Sequence, residues 1–125
     1  MDGNFRISSE QVQARVPVTV FHLYGWLDAQ SEEQLLDTAR AVYDNGARYL
    51  LIDMQELDTL TSAGMRALQK SHQIFTPKED HFKMAHLKLC SVPPQIYNVL
   101  GITGFLQNIP VYENVDTALQ SFGNI

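Results

Sequence analysis

The stretch LIDMQELDTLTSAGMRAL, residues 51–68, carries the change from strand to helix on which the fold depends. It starts in an apolar run typical of a strand buried on both faces, and it ends with apolar side chains at helical spacing. Between the two lies a polar turn, in which Thr61 and Ser62 stand directly before Ala63 and Gly64. Two hydroxyls and a glycine at such a corner fit a nucleophile, a phosphate cradle, a helix cap or a modification site.

The segments on either side of this corner alternate between strand and helix. Short strands are predicted at residues 5–9 and 11–16 and a more central strand at 18–25, after which Ser31 to Gln34 has the pattern of a capping box that opens a helix. A strand is then predicted at 48–54 and a helix from about Ser62 to Phe75. A polar turn at 76–81 leads to a strand at 82–89 and to a helix after Pro93 and Pro94 that Gly101 closes. The last predicted elements are a strand at 108–112 and a helix capped by Asn114. Such alternation gives right-handed crossovers and a largely parallel sheet, to which N-terminal strands can add antiparallel pairs. We therefore expect one α/β domain over residues 1–125, with a mixed sheet of four to five strands and about four helices.

The bulk composition excludes several classes of function. The 125 residues carry a net charge of -5, and the sequence has neither a basic cluster for nucleic acid nor a Lys/Arg run for an anionic membrane surface. No apolar stretch approaches the roughly 20 residues that a membrane-spanning helix needs. The lone Cys90 cannot form an intrachain disulfide, which is typical of an intracellular chain. We expect a cytoplasmic protein that neither binds nucleic acid nor inserts directly into a membrane.

The sequence lacks the side-chain patterns of metal, redox and nucleotide chemistry. The histidines at positions 22, 72, 81 and 86 form no HExxH motif, and CxxC, GxxxxGK[ST] and GxGxxG are all missing. We therefore expect no metal, no cofactor and no catalytic residue. A serine hydrolase requires GxSxG, but Leu60 stands where the first glycine is needed and only Gly64 matches. That enzyme class is the least favoured alternative.

Helix capping is the simplest explanation of the hydroxyl pair. Either Thr61 or Ser62 could accept a hydrogen bond from an unpaired N–H at the helix start. Gly64 fits less well, because glycine in a helix costs up to about 1 kcal/mol relative to alanine, which suggests that something approaches the backbone closely. A serine at a helix start is also well placed to carry a phosphate, since free N–H groups stabilise negative charge there. From the physics alone, a helix cap is favoured over a phosphorylation site as the role of these hydroxyls.

Two motifs together resemble the STAS domain, the family typified by bacterial anti-sigma factor antagonists. One is FHLYGWLDA, residues 21–29, a strand that ends just before a helix. The other is LLIDMQELDTLTSAGM, residues 50–65, in which a buried strand, a short loop and a helix start follow one another. The resemblance extends from about Phe5 to Phe122 and rests on the order and separation of the two motifs.

The resemblance implies a regulatory protein and no enzymatic activity. In that family, an anti-sigma factor with serine kinase activity phosphorylates the antagonist and thereby blocks binding, and a phosphatase restores it. The family's phosphorylated serine stands two residues before the glycine, so phosphorylation is expected on Ser62. Thr61 is the alternative, because it replaces the aspartate that antagonists commonly carry and adds a second hydroxyl beside the first. The residues expected to contact the partner are Trp26, Asp28, Asp58, Thr61, Ser62, Ala63, Gly64 and Met65. Those from Asp58 to Met65 would form one docking loop.

The same family resemblance leaves other roles open. Similar chains assemble into stress-sensing scaffolds of the stressosome type, where Thr61 or Ser62 could also be modified. Others are accessory subunits of membrane transport systems and need no phosphorylation. The antagonist role is the one we carry forward, with these two and the small serine hydrolase as alternatives.

Overall fold

The computed structural model describes residues 4–76, 86–102 and 109–123. Within these ranges the chain forms six strands and four helices. In chain order they are β1 (Arg6–Gln13), β2 (Pro17–Leu27), α1 (Glu32–Asp44), β3 (Leu50–Asp53), β4 (Leu57–Leu60), α2 (Ser62–Phe75), β5 (Leu87–Cys90), α3 (Pro94–Ile102), β6 (Val111–Tyr112) and α4 (Val115–Ser121). Most of the predicted turn at 76–81, including His81, and the start of the predicted strand at 82–89 lie outside the described residues.

The strands form one mixed sheet in the order β1-β2-β3-β5-β6. β1 runs antiparallel to β2, whereas β2, β3, β5 and β6 pair in parallel. β4 lies off this path and pairs in parallel with the C-terminal end of β2, beyond the residues that β3 occupies. The prediction of an α/β fold with a mixed, largely parallel sheet is confirmed, and β4 is the strand that it lacked.

The N-terminal segment forms one strand, although its sequence predicts two short ones. β1 pairs continuously with β2, from Arg6 opposite Tyr24 to Gln13 opposite Pro17. Pro17 opens β2 at the hairpin end, where the missing backbone N–H of proline is tolerated. β1 is an edge strand with no fully buried side chain. Its sequence therefore does not alternate clearly enough between apolar and polar residues to show where the strand ends.

The apolar core occupies both faces of the sheet. Leu50 and Ile52 of β3 belong to the larger cluster, to which α1, α2 and α3 contribute. Leu51 belongs to the smaller cluster, together with Ala118 of α4 and the following Phe122. Every side chain of β3 is therefore buried, which explains why Leu50, Leu51 and Ile52 form a continuous apolar run and do not alternate with polar residues.

The starts of α2 and α4 agree with the sequence. Thr61 caps α2, since its Oγ1 accepts a hydrogen bond from the Gly64 N–H at 3.2 Å. Asn114 caps α4, and its Oδ1 accepts the N–H of Thr117 at 2.8 Å. Both caps satisfy a donor that would have no partner within the helix.

The predicted capping box of α1 and the predicted end of α3 need correction, whereas α1 begins after Ser31 and ends before Asn45, as the sequence predicts. The capping box from Ser31 to Gln34 is wrong, because Ser31 has near-helical angles (φ -99°, ψ -2°) and its side chain makes no cap hydrogen bond. Its hydroxyl is used in the loop before the helix instead. α3 continues through Gly101, the predicted stop, to Ile102. In the described part of the chain, no helix has the length and apolar character needed to span a membrane.

Candidate functional site

An open groove of about 920 Å³ lies where the end of β2 meets the first turns of α1 and α2. Five of the eight predicted site residues line it, namely Trp26, Asp28, Thr61, Ser62 and Ala63. The other three, Asp58, Gly64 and Met65, are not part of its lining. The rest of the wall comes from the segment before β1 and from the residues that lead into α1. The fold thus brings together two stretches that are more than thirty residues apart in the chain.

Thr61 and Ser62 occupy different environments. The half-buried Thr61 has an extended backbone, donates its N–H to the Leu27 carbonyl at 3.1 Å and accepts the Gly64 N–H on its hydroxyl. Ser62 is exposed at the first position of α2 and lines the groove. The Thr61 hydroxyl is therefore engaged in holding the corner, whereas the Ser62 hydroxyl is accessible.

The backbone of Leu27 is what approaches Gly64. Gly64 is buried, and a Cβ added there would lie 2.1 Å from the Leu27 carbonyl oxygen and 2.8 Å from Cδ1 of Leu60. Any side chain at this position would push α2 away from the end of β2. The close approach inferred from the sequence is thus internal packing, which sets the position of the two hydroxyls relative to Trp26.

Asp28 organises the loop between β2 and α1. Its Oδ1 accepts the N–H groups of Gln30 at 3.0 Å and Ser31 at 3.1 Å. The Ser31 hydroxyl in turn donates to the Trp26 carbonyl at 2.8 Å and accepts the Asp28 N–H at 2.9 Å. These bonds explain why Ser31 does not cap α1. They also fix the backbone that presents Trp26, a residue that is 39% exposed and thus available to a partner.

The predicted docking loop from Asp58 to Met65 is a strand followed directly by a helix. β4 pairs with β2 through Leu57 opposite Gly25 and Thr59 opposite Trp26, which leaves the exposed Asp58 as the extra residue of a bulge. Met65 is half-buried and packs against the larger core cluster. The loop prediction is wrong because the polar LDTL segment finds a partner strand that is distant in sequence.

A cluster of three charges beside the groove was not predicted from the sequence. Glu32, at the start of α1, accepts hydrogen bonds from Arg66 Nη2 and Nε at 3.3 Å each and from Lys70 Nζ at 3.2 Å. The hydrogen bond from Arg66, followed by the one from Lys70, lowers the pKa of Glu32 below its ordinary value. Arg66 and Lys70 are four residues apart and share a helix face, which the sequence could have shown. Their partner lies on another helix and is visible only in the fold.

A second polar cluster crosses three neighbouring strands. His22 Nδ1 lies 2.7 Å from Asp53 Oδ2, and His22 Nε2 lies 2.6 Å from Glu10 Oε2. Burial alone would lower the pKa of His22, but the hydrogen bonds to Glu10 and Asp53 outweigh it and raise the pKa above its ordinary value. Asp53 also accepts the Gln55 N–H at 3.1 Å, in keeping with the expectation that it orders the strand end. None of these residues lines the groove.

The groove offers little support for catalysis or metal binding. None of the histidines in the described residues lines it, so no histidine is placed to act as a general base for Ser62 there. In the part of the chain that the structure describes, no group of three or more histidine, cysteine or carboxylate side chains is arranged so that it could hold a metal ion. Cys90 is buried, which raises its thiol pKa to about 12 and leaves it an unreactive thiol at neutral pH.

Comparison by sequence places the chain beside regulatory proteins. A sequence model described as the STAS domain matches residues 10–118. The Bordetella bronchiseptica protein BtrV, named as an anti-sigma factor antagonist, is 30% identical over 100 residues, which cover 80% of this chain and 82% of BtrV. The family resemblance deduced from the two motifs is confirmed.

Comparison by structure gives the same fold. An anti-sigma factor antagonist from Mycobacterium paratuberculosis superposes with a TM-score of 0.83 at 18% identity, covering 99% of this chain and 98% of its own. The antagonist SpoIIAA in its unphosphorylated form gives a TM-score of 0.70 at 15% identity, with coverage of 96% and 99%. The phosphorylated form of SpoIIAA from Bacillus gives 0.64 at 16% identity, with coverage of 91% and 96%.

Proposed function

We propose that this chain, which belongs to the STAS domain family, is an anti-sigma factor antagonist that binds its anti-sigma factor through the groove and so frees a sigma factor. The names of BtrV and of the structural relatives support the antagonist role. In this account the chain acts by binding and is not itself an enzyme. A cytoplasmic location and a single domain over residues 1–125 remain predictions.

The position of Ser62 is the observation that carries the proposal. It is exposed on the groove wall, on the same rim as Trp26, while the neighbouring Thr61 is occupied as the cap of α2. Phosphorylation of Thr61 would disturb that cap, whereas phosphorylation of Ser62 leaves it in place. These contacts favour Ser62 over Thr61 as the modified residue.

Phosphorylation of Ser62 would switch binding off. The kinase-type anti-sigma factor would supply ATP and its metal ion, and the γ-phosphoryl group would pass to Ser62 Oγ, which loses its proton as ADP leaves. The product carries about -1.5 to -2 charge, and the free N–H groups at the start of α2 tolerate that charge without unfolding. The negative charge and the volume of the phosphate would then occupy the part of the groove where the partner docks. A phosphatase would hydrolyse the phosphate and restore the binding surface.

The predicted contact residues divide into two kinds. Trp26 is the exposed aromatic anchor, and exposed aromatic side chains of this sort often dominate binding energy. Thr61, Ser62 and Ala63 form the wall beside it. Asp28 and the buried Gly64 would act indirectly. Asp28 holds the loop between β2 and α1, and Gly64 lets the start of α2 pack against the end of β2. Asp58 and Met65 would extend the contact beyond the groove itself.

The other roles considered from the sequence find less support. A stress-sensing scaffold and a transport accessory subunit use the same fold, and no feature of the described residues favours either one. A serine hydrolase at Ser62 would ordinarily use a histidine as general base, and no histidine of the described residues lines the groove.

The phosphorylation site is tested by phosphopeptide mass spectrometry after incubation with the kinase-type anti-sigma factor and ATP. We expect phosphate on Ser62 in the wild-type chain and in Thr61→Ala, and none in Ser62→Ala. The Thr61→Ala chain is the matched control, because it removes the adjacent hydroxyl and leaves Ser62. Full phosphorylation of Ser62→Ala would overturn the assignment.

A further inference from the structure

The charge cluster beside Ser62 is built from one shielded carboxylate and two exposed cations. The side chain of Glu32 is only 14% exposed, whereas those of Arg66 and Lys70 are 55% and 49% exposed. One carboxylate therefore holds two positive side chains, and the cluster has one positive charge in excess. Either cation could change partner without leaving Glu32 unpaired.

Arg66 is the cation within reach of Ser62. The two residues are four positions apart in α2, so they lie on one face with Cβ atoms about 5–6 Å apart. Helical side chains lean toward the N-terminus, which directs Arg66 toward the turn that contains Ser62. Lys70 is eight positions from Ser62, about 12 Å along the helix axis, and stays beside Glu32.

We propose that Arg66 is the intramolecular partner of a phosphoryl group on Ser62, and that it exchanges Glu32 for this group while Lys70 keeps Glu32. The inference rests on the proposed phosphorylation of Ser62. A guanidinium group binds phosphate oxygens through two parallel hydrogen bonds, and a phosphate close to a full dianion attracts it more strongly than a carboxylate. The exchange costs little because Lys70 continues to neutralise Glu32.

This exchange has two consequences for the switch. The phosphate is held over the first turns of α2, beside the groove wall, where it blocks the docking surface. The ion-pair cluster between α1 and α2 also loses Arg66, so that only Lys70 still pairs with Glu32. The guanidinium group of Arg66 then lies with the phosphate at the edge of the groove. Arg66 is therefore a positioning residue for the phosphorylated state and has no part in the transfer reaction.

The test places phosphoserine at position 62 during translation of the full chain, so that no kinase is needed. A ³¹P NMR titration then measures the second pKa of the phosphate, which is about 6 for an unperturbed phosphoserine. A nearby guanidinium favours the dianion, so we expect this pKa to be lower by about half a unit or more than in the same chain with Arg66→Gln. Glu32→Gln, which removes the competing carboxylate, should lower it further.

Arg40→Gln is the matched control, because Arg40 is an exposed arginine of α1 that pairs with Glu33 at 3.7 Å and Asp37 at 3.3 Å. We expect it to leave the phosphate pKa unchanged, and thermal melts should show that each variant is folded. An identical phosphate pKa with and without Arg66 would overturn the exchange, but it would leave the proposed switch intact. Conversely, failure of the kinase to modify Ser62 would overturn the switch, but an Arg66-dependent pKa would still establish this contact.

Discussion

At the scale of single residues, Thr61 and Ser62 carry the same functional group in two different settings. Thr61 is half-buried, and its oxygen is bonded to the Gly64 N–H, so its contribution is to stability. Ser62 is exposed and lines the groove, so its contribution is to the surface. Gly64 permits both roles, because the space of its missing side chain is filled by the Leu27 carbonyl.

The two hydroxyls should therefore respond differently to removal. Thr61→Ala is expected to lower the free energy of unfolding by about 1 kcal/mol, the usual cost of losing a helix cap. Ser62→Ala is expected to change it by no more than about 0.5 kcal/mol, as for an exposed surface site. Urea denaturation followed by circular dichroism measures both values. Equal losses in the two variants would contradict the assignment of the cap to Thr61.

At the scale of elements, features that neighbouring residues determine could be predicted from the sequence, whereas contacts between distant segments could not. The bounds of α2 follow from a cap residue and from apolar spacing, both of which lie inside the segment itself. β4 escaped prediction because its four residues depend on pairing with the end of β2, far away in sequence. The capping box at Ser31 failed because Asp28 and Trp26 compete for the same polar groups. Trp26 and Ser62 could be predicted singly, but the groove that joins them depends on the packing of Gly64.

The cluster formed by Glu10, His22 and Asp53 joins three strands and should make their association dependent on pH. Because the pKa of His22 is raised in the folded state, its protonated form stabilises the fold below the unfolded-state value of about 6.5. That contribution is lost as the pH rises through the folded-state pKa. Deprotonation leaves one N–H for two carboxylates, so one of the two hydrogen bonds is lost.

His22→Gln should accordingly destabilise the fold more at pH 5.5 than at pH 9. Comparing urea unfolding of the variant and the wild-type chain at each pH isolates the effect of this residue from those of other groups. His72 is the matched control. Burial, followed by the charge of His86, lowers its pKa, so its substitution should have the opposite pH trend. A difference between wild type and His22→Gln that is the same at both pH values would show that the cluster does not titrate as described.

At the scale of the whole molecule, the loop before α1 and the start of α2 meet at the groove that Trp26 and Ser62 line. The chain already has a net charge of -5, so a phosphate on Ser62 would add to the charge of an acidic protein, next to the N–H groups at the start of α2 and, in the proposed exchange, to the Arg66 side chain. The fold would then be kept, and only the charge and the free volume of the groove would change. Regulation through the surface and without unfolding is what distinguishes this account from one in which modification destabilises the protein.

The affinity of the chain for its anti-sigma factor tests this claim most directly. Isothermal titration calorimetry would compare the wild-type chain with Ser62→Asp, which places a negative charge in the groove, and with Ser62→Ala as the uncharged control. We predict that Ser62→Asp weakens binding at least about tenfold, or about 1.4 kcal/mol, while Ser62→Ala stays within about threefold of wild type. The melting temperatures of all three should agree closely. Wild-type affinity in a folded Ser62→Asp chain would contradict the account.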